Sequence, residues 1–384
     1  MNRDAALVQA RVLDRMPRRS RLHGVPVGIK DVIDTFDYPT QYNSPIYDDY
    51  QPKADAACVA LLRRAGCVIL GKTVTTEFAN IQPAQTRNPW NLEHTPGGSS
   101  SGSAAAVADR MVPLSLGTQT AGSTIRPASY CGTFAIKPSF GSVSRTGVKP
   151  LAESLDTIGL FARSPDDLEA ATEILTGRLP AASVDGPPRV GFCRTANWDK
   201  LDHAMQGALV AFTQSLERAG ATVKDVEIAT LDQLSADHST IMGFESARAL
   251  AWESAAFPDK LSPALFQRLQ AGWAVSRDQY DAVRSNAGRG REALRELFQT
   301  FDFLVTPSAS GAAPLLATTG DSLFNRAWTL LGNPCLALPL KRAPNGLPLG
   351  VQLVGALEND MALIAWAKWA RARHGADGSG MQDL

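Results

Sequence analysis

Apolar positions fall into short runs separated by Gly, Pro and Ser, and these runs alternate with stretches of helical periodicity. Residues 1–21 read as a short Arg-rich helical segment. The apolar run Leu22–Asp31, with its Gly and Pro, suits a short buried strand or loop. Residues 55–66 predict a helix with Ala57, Leu61 and Leu62 on one face and Gly66 as its stop. Cys67–Leu70 then predicts a buried strand. Residues 82–103, rich in Pro, Gly, Ser and Asn, predict loop. A small-residue helix is expected from Ser103 to Ala108, an apolar stretch from Met111 to Leu116, and a tight turn from Gly117 to Gly122.

The second half repeats a strand–helix–strand pattern. Arg189–Phe192 suits a strand. Leu201, Met205, Leu209, Phe212 and Leu216 recur at helical spacing up to Ala219-Gly220, and Ala221–Ile228 suits the next strand. Residues 230–300 read as mainly helical, and Phe303–Pro307 as a strand. Leu336–Leu340 and Leu349–Val354 predict a hairpin through the Pro/Asn/Gly turn at 344–346. The pattern predicts an α/β fold: a wide, mixed, mostly parallel sheet covered by helices on both faces. No internal repeat is found. The weakest point is 180–188, and residues 1–384 are read as one domain.

Composition narrows the function. Lys+Arg and Asp+Glu are both 38, so formal net charge is zero, which removes the global electrostatic case for nucleic acid or an anionic membrane. No apolar run approaches the ~20 residues of a membrane span, and the start lacks the apolar segment of a secretory signal. The five Cys are odd in number with no CxxC, which points to reduced, buried thiols and a cytoplasmic setting. The five His never fall at metal-ligand spacing, so no metal is expected.

Two formal motif matches fail on context. Gly66-Cys67-Val68-Ile69-Leu70-Gly71-Lys72-Thr73 fits a phosphate-loop pattern, but its centre is itself the buried strand, so its amides cannot curl around phosphate. Gly98-Ser99-Ser100-Ser101-Gly102 fits a nucleophile elbow, but loop precedes it where that elbow needs a strand.

Three separated segments carry more weight: Gly24–Asp31 with Lys30, Pro96–Ala108 with Ser99, and Gly117–Ala128 with Ser123. Alone, a Lys after an apolar run is a solvated strand end, and a Ser/Gly cluster is flexible loop. Together and in this order they resemble the amidase signature family. The resemblance extends over Ala65–Phe78, Phe303–Pro307, Gly332–Pro334 and Gly346–Gly355.

The resemblance implies a Ser–Ser–Lys triad. Ser123 is the nucleophile that forms an acyl-enzyme, Ser99 the bridging serine after a cis Gly98–Ser99 peptide, and Lys30 the base, which must be neutral at rest. Lowering a Lys from ~10.4 to about 7–8 takes roughly 3–4 kcal/mol of desolvation and environment, and Val27 and Ile29 fit such burial. The amides of Thr120, Ala121, Gly122 and Ser123 are the implied oxyanion hole. Gly98 and Arg126 are the implied substrate-contacting positions.

Departures from the commonest pattern point to a branch. Many members carry Asp at the position of Gln119, Gly at those of Ala121 and Ser101, and an Arg one residue earlier than Arg126. This form resembles the malonamidase-like branch, in which the equivalent Arg holds a substrate carboxylate. The alternative for Arg126 is a brace that bonds backbone carbonyls. The short chain and the lack of basic excess argue against the amidotransferase subunit that acts on aminoacylated tRNA.

The expectation is a metal-free, cofactor-free amidohydrolase that cleaves a small, carboxylate-bearing amide with water and needs neither nucleic acid nor membrane. A homodimer is expected by analogy. Carbamate, urea-like or aryl amide hydrolysis on the same triad is the alternative, followed by a catalytically dead amidase-like subunit. Pocket walls are expected within 150–185 and 250–330, with Trp273, Phe324 and Trp328 as candidate lining residues.

Overall fold

The structure, a computed structural model, describes residues 3–374 apart from 182, 183 and 185. Among these, one sheet holds β1 (Pro26–Lys30), β2 (Val68–Thr73), β3 (Leu114–Gln119), β4 (Phe134–Lys137), β5 (Thr157–Ala162), β6 (Arg189–Phe192), β7 (Thr222–Asp225), β8 (Phe303–Pro307), β9 (Cys335–Arg342) and β10 (Pro348–Val354). Their order is β2-β1-β3-β5-β4-β9-β10-β8-β6-β7. The helices are α1 (Arg3–Leu13), α2 (Ala57–Arg64), α3 (Ser101–Ala108), α4 (Ile125–Cys131), α5 (Pro165–Thr176), α6 (His203–Arg218), α7 (Leu231–Ala249), α8 (Ala251–Ala256), α9 (Pro263–Trp273), α10 (Arg277–Leu297), α11 (Leu323–Leu331) and α12 (Asp360–His374).

The sheet is mixed, and its parallel pairs sit at the two ends. β2, β1 and β3 run parallel, as do β8, β6 and β7. The centre, from β3 through β5, β4, β9 and β10 to β8, is antiparallel. Strand–helix–strand segments build the ends, because a crossover helix returns the chain in the same direction. The β9–β10 hairpin, and the insertion of β5 between β3 and β4, fill the middle with the opposite sense. A local pattern of apolar runs does not report that insertion.

Each face has its own apolar layer. Helices α2, α5, α6 and α12 contribute to one cluster, with Leu62, Leu168, Phe212 and Ile364 buried in it. Helices α3, α4, α7, α10 and α11 contribute to the other, with Val107, Ile125, Ile241, Leu294 and Trp328. Helix α6 follows its sequence closely. Asp202 caps it by accepting from Met205 N at 2.7 Å, and Met205, Leu209, Phe212 and Leu216 are its buried stripe. On α2 the buried residues are Cys58, Val59 and Leu62, so the face is rotated from the expected Ala57, Leu61 and Leu62. The N-terminal helix ends at Leu13, and turns occupy much of 14–24. No helix among the described residues is long and apolar enough to cross a membrane.

The expected turn at 117–122 is half strand. Gly117 pairs with Gly159 across β3 and β5. A Cβ at Gly117 would meet Ser100 Oγ at 2.8 Å, and one at Gly159 would meet Thr124 Oγ1 at 2.1 Å. Two facing glycines therefore let the starts of α3 and α4 rest directly on the sheet.

Candidate active site

Lys30 is the last residue of β1 and is fully buried. Because β1 and β3 run parallel, their carboxyl ends lie at the same edge, which is where α/β sheets present ligand sites. Lys30 Nζ lies 2.7 Å from Ser99 Oγ and 2.7 Å from Thr118 Oγ1 of β3. Burial holds the Lys30 amine well below its ordinary 10.5, and the charge of Asp156 opposes that only in part. A buried amine with two hydroxyl partners and no ion-pair partner among the described residues can carry a lone pair.

Ser99 enters α3 through a cis Gly98–Ser99 peptide, the geometry that the family resemblance implied. Its neighbour Ser100 is fully buried, donating to Thr118 O at 3.1 Å and accepting from Thr118 N at 3.3 Å. That pairing absorbs the elbow-like serine into the β3 edge. The phosphate-loop lookalike is likewise structural. Lys72 ends on Ile33 O at 2.8 Å, Thr40 Oγ1 at 2.6 Å and the Asp31 carboxylate at 3.1 Å.

Ser123 stands in the turn between β3 and α4 and faces a cavity of about 640 Å³. Thr120, Ala121 and Arg126 line the same cavity, so the third segment of the sequence reading converges there. The turn is tied from several sides. Gln119 Oε1 accepts from Thr124 N at 2.8 Å and Ile125 N at 3.0 Å, which caps α4. Thr120 Oγ1 donates to Asp156 Oδ1 at 2.6 Å, while Asp156 Oδ2 accepts from Leu151 N and Ala152 N. At Gly122 any Cβ would strike Asn325 Oδ1 at 2.3 Å, so only glycine fits under α11.

Arg126 is buried and braces the site. Its Nε donates to Thr319 O at 2.8 Å and its Nη2 to Gly98 O at 2.5 Å. The cavity carries two further guanidiniums that sequence reasoning missed, Arg268 and Arg326. Arg326 pairs with Asp321 at 2.7 Å, and Arg268 donates to Asn80 Oδ1 at 3.1 Å. His238, the central histidine of α7, also lines it, with Nε2 2.7 Å from Thr120 O. No motif flags His238, Arg268 or Arg326, because helices distant in sequence bring them to the turn.

The expected lining aromatics lie elsewhere. Phe324 and Trp328 are buried on the inner side of α11, and Trp273 is half-exposed beneath the Arg248 guanidinium. Walls come instead from 79–81, 238–246, 268–275 and 318–326. The expected 250–330 region therefore contributes and 150–185 does not. The five cysteines are buried and unpaired. Among the described residues no group of three or more His, Cys, Asp or Glu is arranged to hold a metal ion.

Comparison with known proteins finds relatives along nearly the whole chain. Among curated relatives, a glutamyl-tRNA(Gln) amidotransferase subunit of Anaeromyxobacter sp. is 34% identical, over 95% of this chain and 86% of that protein. The native peptide amidase of Stenotrophomonas maltophilia superposes with a TM-score of 0.83 at 30% identity, covering 99% of this chain and 89% of that one. A chain from a vestigial protein complex tied to the origins of an s-triazine catabolic enzyme superposes with a TM-score of 0.88 at 26% identity, over 96% and 89% of the two chains. The relatives thus include the amidotransferase subunits that shortness and charge balance argued against. The amidase family pattern matches residues 1–364, nearly the whole sequence, and this chain belongs to that family.

Proposed function

We propose that the protein is a serine amidohydrolase of small amides that carry an anionic group. The observation that carries the reading is the buried Lys30 amine, 2.7 Å from Ser99 Oγ, at the edge where Ser123 opens onto the cavity. Ser123 Oγ attacks the amide carbonyl as its proton passes to Ser99 Oγ, and the Ser99 proton passes to the neutral amine of Lys30. Thr118 Oγ1 accepts an N–H of Lys30 and so aims the lone pair at Ser99. The N–H groups of the turn Thr120–Ser123 take the negative charge of the tetrahedral intermediate. As the C–N bond breaks, Ser99 protonates the leaving amine and recovers its proton from Lys30. Water then repeats the cycle on the ester, releasing the acid and free Ser123.

The anionic preference follows from the cavity charges. Arg126, Arg268 and Arg326 face a cavity in which Asp321 is the carboxylate, and Asp321 already pairs with Arg326. An anionic substrate group offsets the surplus. The carboxylate preference is kept from the malonamidase-like expectation, but the motif residue Arg126 is taken up by backbone carbonyls, and Arg268 is the binding cation in its place. Matched pairs of carboxylate-bearing and neutral small amides, assayed for ammonia release, test it. The carboxylate member of each pair should show the higher kcat/KM, and equal rates across pairs would contradict the preference.

A second reading is favoured by curated relatives that are glutamyl-tRNA(Gln) amidotransferase subunits. On that reading the chain works within an assembly. Ammonia release by the isolated chain separates the two.

A further inference from the structure

We propose that His238 and Thr329 are positioning residues that orient the oxyanion donors, each by holding the carbonyl on the far side of a donor's own peptide plane. The proposal rests on the reading of Thr120–Ser123 as the oxyanion turn. A peptide unit is planar, so fixing its C=O fixes the direction of the N–H it shares. The Thr120 carbonyl shares its plane with the Ala121 N–H, and the Ala121 carbonyl shares its plane with the Gly122 N–H. His238 Nε2 lies 2.7 Å from Thr120 O, and Thr329 Oγ1 donates to Ala121 O at 2.8 Å.

This stretch needs such anchors. β3 ends at Gln119 and α4 begins at Ile125, so neither sheet nor helix sets the direction of these amides. Both anchors arrive from the second half of the chain, on α7 and α11, which pack against each other. Thr329 is itself held, because its Oγ1 accepts from Gln119 Nε2 at 3.0 Å. The opposite end of that same amide caps α4 through Thr124 N and Ile125 N. One buried glutamine therefore ties the end of the strand, the anchor of the turn and the start of the helix together.

The chemistry of His238 suits the task. A carbonyl only accepts, so Nε2 carries the proton and donates. Nδ1 is buried without a partner among the described residues. Burial, with Arg326 nearby, pushes the imidazole down to about 4, so the ring is neutral at ordinary pH. It thus donates to Thr120 O without placing a charge beside the turn. A hydrogen bond accepted by a carbonyl also polarises its peptide, which makes the N–H beyond it a better donor.

The test uses the full chain and a fluorophosphonate probe, because phosphonylation of Ser123 builds negative charge on an oxygen in the same hole. Two pairs of variants are compared, His238→Leu with His238→Gln, and Thr329→Val with Thr329→Ser. Leu and Val remove the donor, while Gln and Ser keep one. Loss of a whole oxyanion donor costs about 100- to 1000-fold in rate, so loss of its orientation should slow phosphonylation about 10- to 100-fold. His238→Gln and Thr329→Ser should recover most of the rate, with melting temperatures close to those of their partners. Should His238→Leu fail to fold, the near-isosteric Thr329 pair carries the test alone. Variants without a donor that react like wild type would overturn the assignment, as would Gln and Ser variants as slow as Leu and Val. A folded wild type that takes no label on Ser123 would instead remove the triad reading, and this assignment with it.

Discussion

Arg126 Nη2 donates to the carbonyl oxygen of Gly98 at 2.5 Å, so the guanidinium three residues after Ser123 clamps the peptide that leads into Ser99. With its second bond to Thr319 O, Arg126 ties the two serine segments to the cavity wall. Arg126→Gln should therefore leave two buried carbonyls under-satisfied, at about 1–3 kcal/mol each. The melting temperature should fall, and kcat for neutral and carboxylate amides should fall together. Selective loss of carboxylate substrates alone would return the binding role to Arg126.

Arg268 lines the cavity with its hydrogen bond on a side-chain amide, Asn80, whereas Arg126 is held by two backbone carbonyls and Arg326 by Asp321. Arg268→Gln should raise KM for carboxylate-bearing amides about tenfold, equivalent to ~1.4 kcal/mol, and spare their neutral analogues. Steady-state kinetics on matched pairs read this directly. Equal changes for both members would mean that Arg268 does not face the anion.

The buried amine of Lys30 trades stability for chemistry. The unfolded chain protonates Lys30 up to its ordinary 10.5, while the folded protein does so only at much lower pH. Between those limits the unfolded state holds the extra proton, so stability rises with pH. Lys30→Met removes that dependence. The variant should be inactive yet melt above wild type, with a gap that widens as pH falls from 10 toward 7. A gap that stays constant across that range would contradict a depressed Lys30.

Asp156 is the carboxylate whose charge favours protonated Lys30. Removing that charge in Asp156→Asn should lower the Lys30 pKa further and move the acid limb of the pH–rate profile to lower pH. Asn keeps one acceptor for the Thr120 hydroxyl or the Leu151 and Ala152 amides, so some loss of stability is expected alongside. An acid limb that stays in place would separate Lys30 from that limb.

Much of this was legible in the sequence, and the remainder is a matter of distance along the chain. Met205 to Leu216 showed a helical stripe because its packing repeats every turn, and Ala219-Gly220 marked its stop, while Leu201, read into the same stripe, lies before the Asp202 cap. The segments around Lys30, Ser99 and Ser123 were legible through their joint resemblance to a family pattern, and close approach at Gly28, Gly102 and Gly122 leaves no room there for a side chain. Gly117 misled, since a glycine read as a turn serves in β3 as the surface on which Ser100 rests. The antiparallel centre was not visible, because β5 pairs between β3 and β4 through long-range contacts. His238, Thr329 and Arg268 left no local trace. Each lies on a helix whose spacing reports burial, and its partner lies more than a hundred residues away.

The serine that carries the chemistry is the claim on which the rest depends. Treatment of the folded protein with a fluorophosphonate, followed by peptide mapping, identifies it directly. The adduct should form on Ser123, vanish in Ser123→Ala, slow by orders of magnitude in Lys30→Met, and persist in Ser100→Ala. An adduct on Ser100, or a folded wild type left unlabelled, would contradict the account.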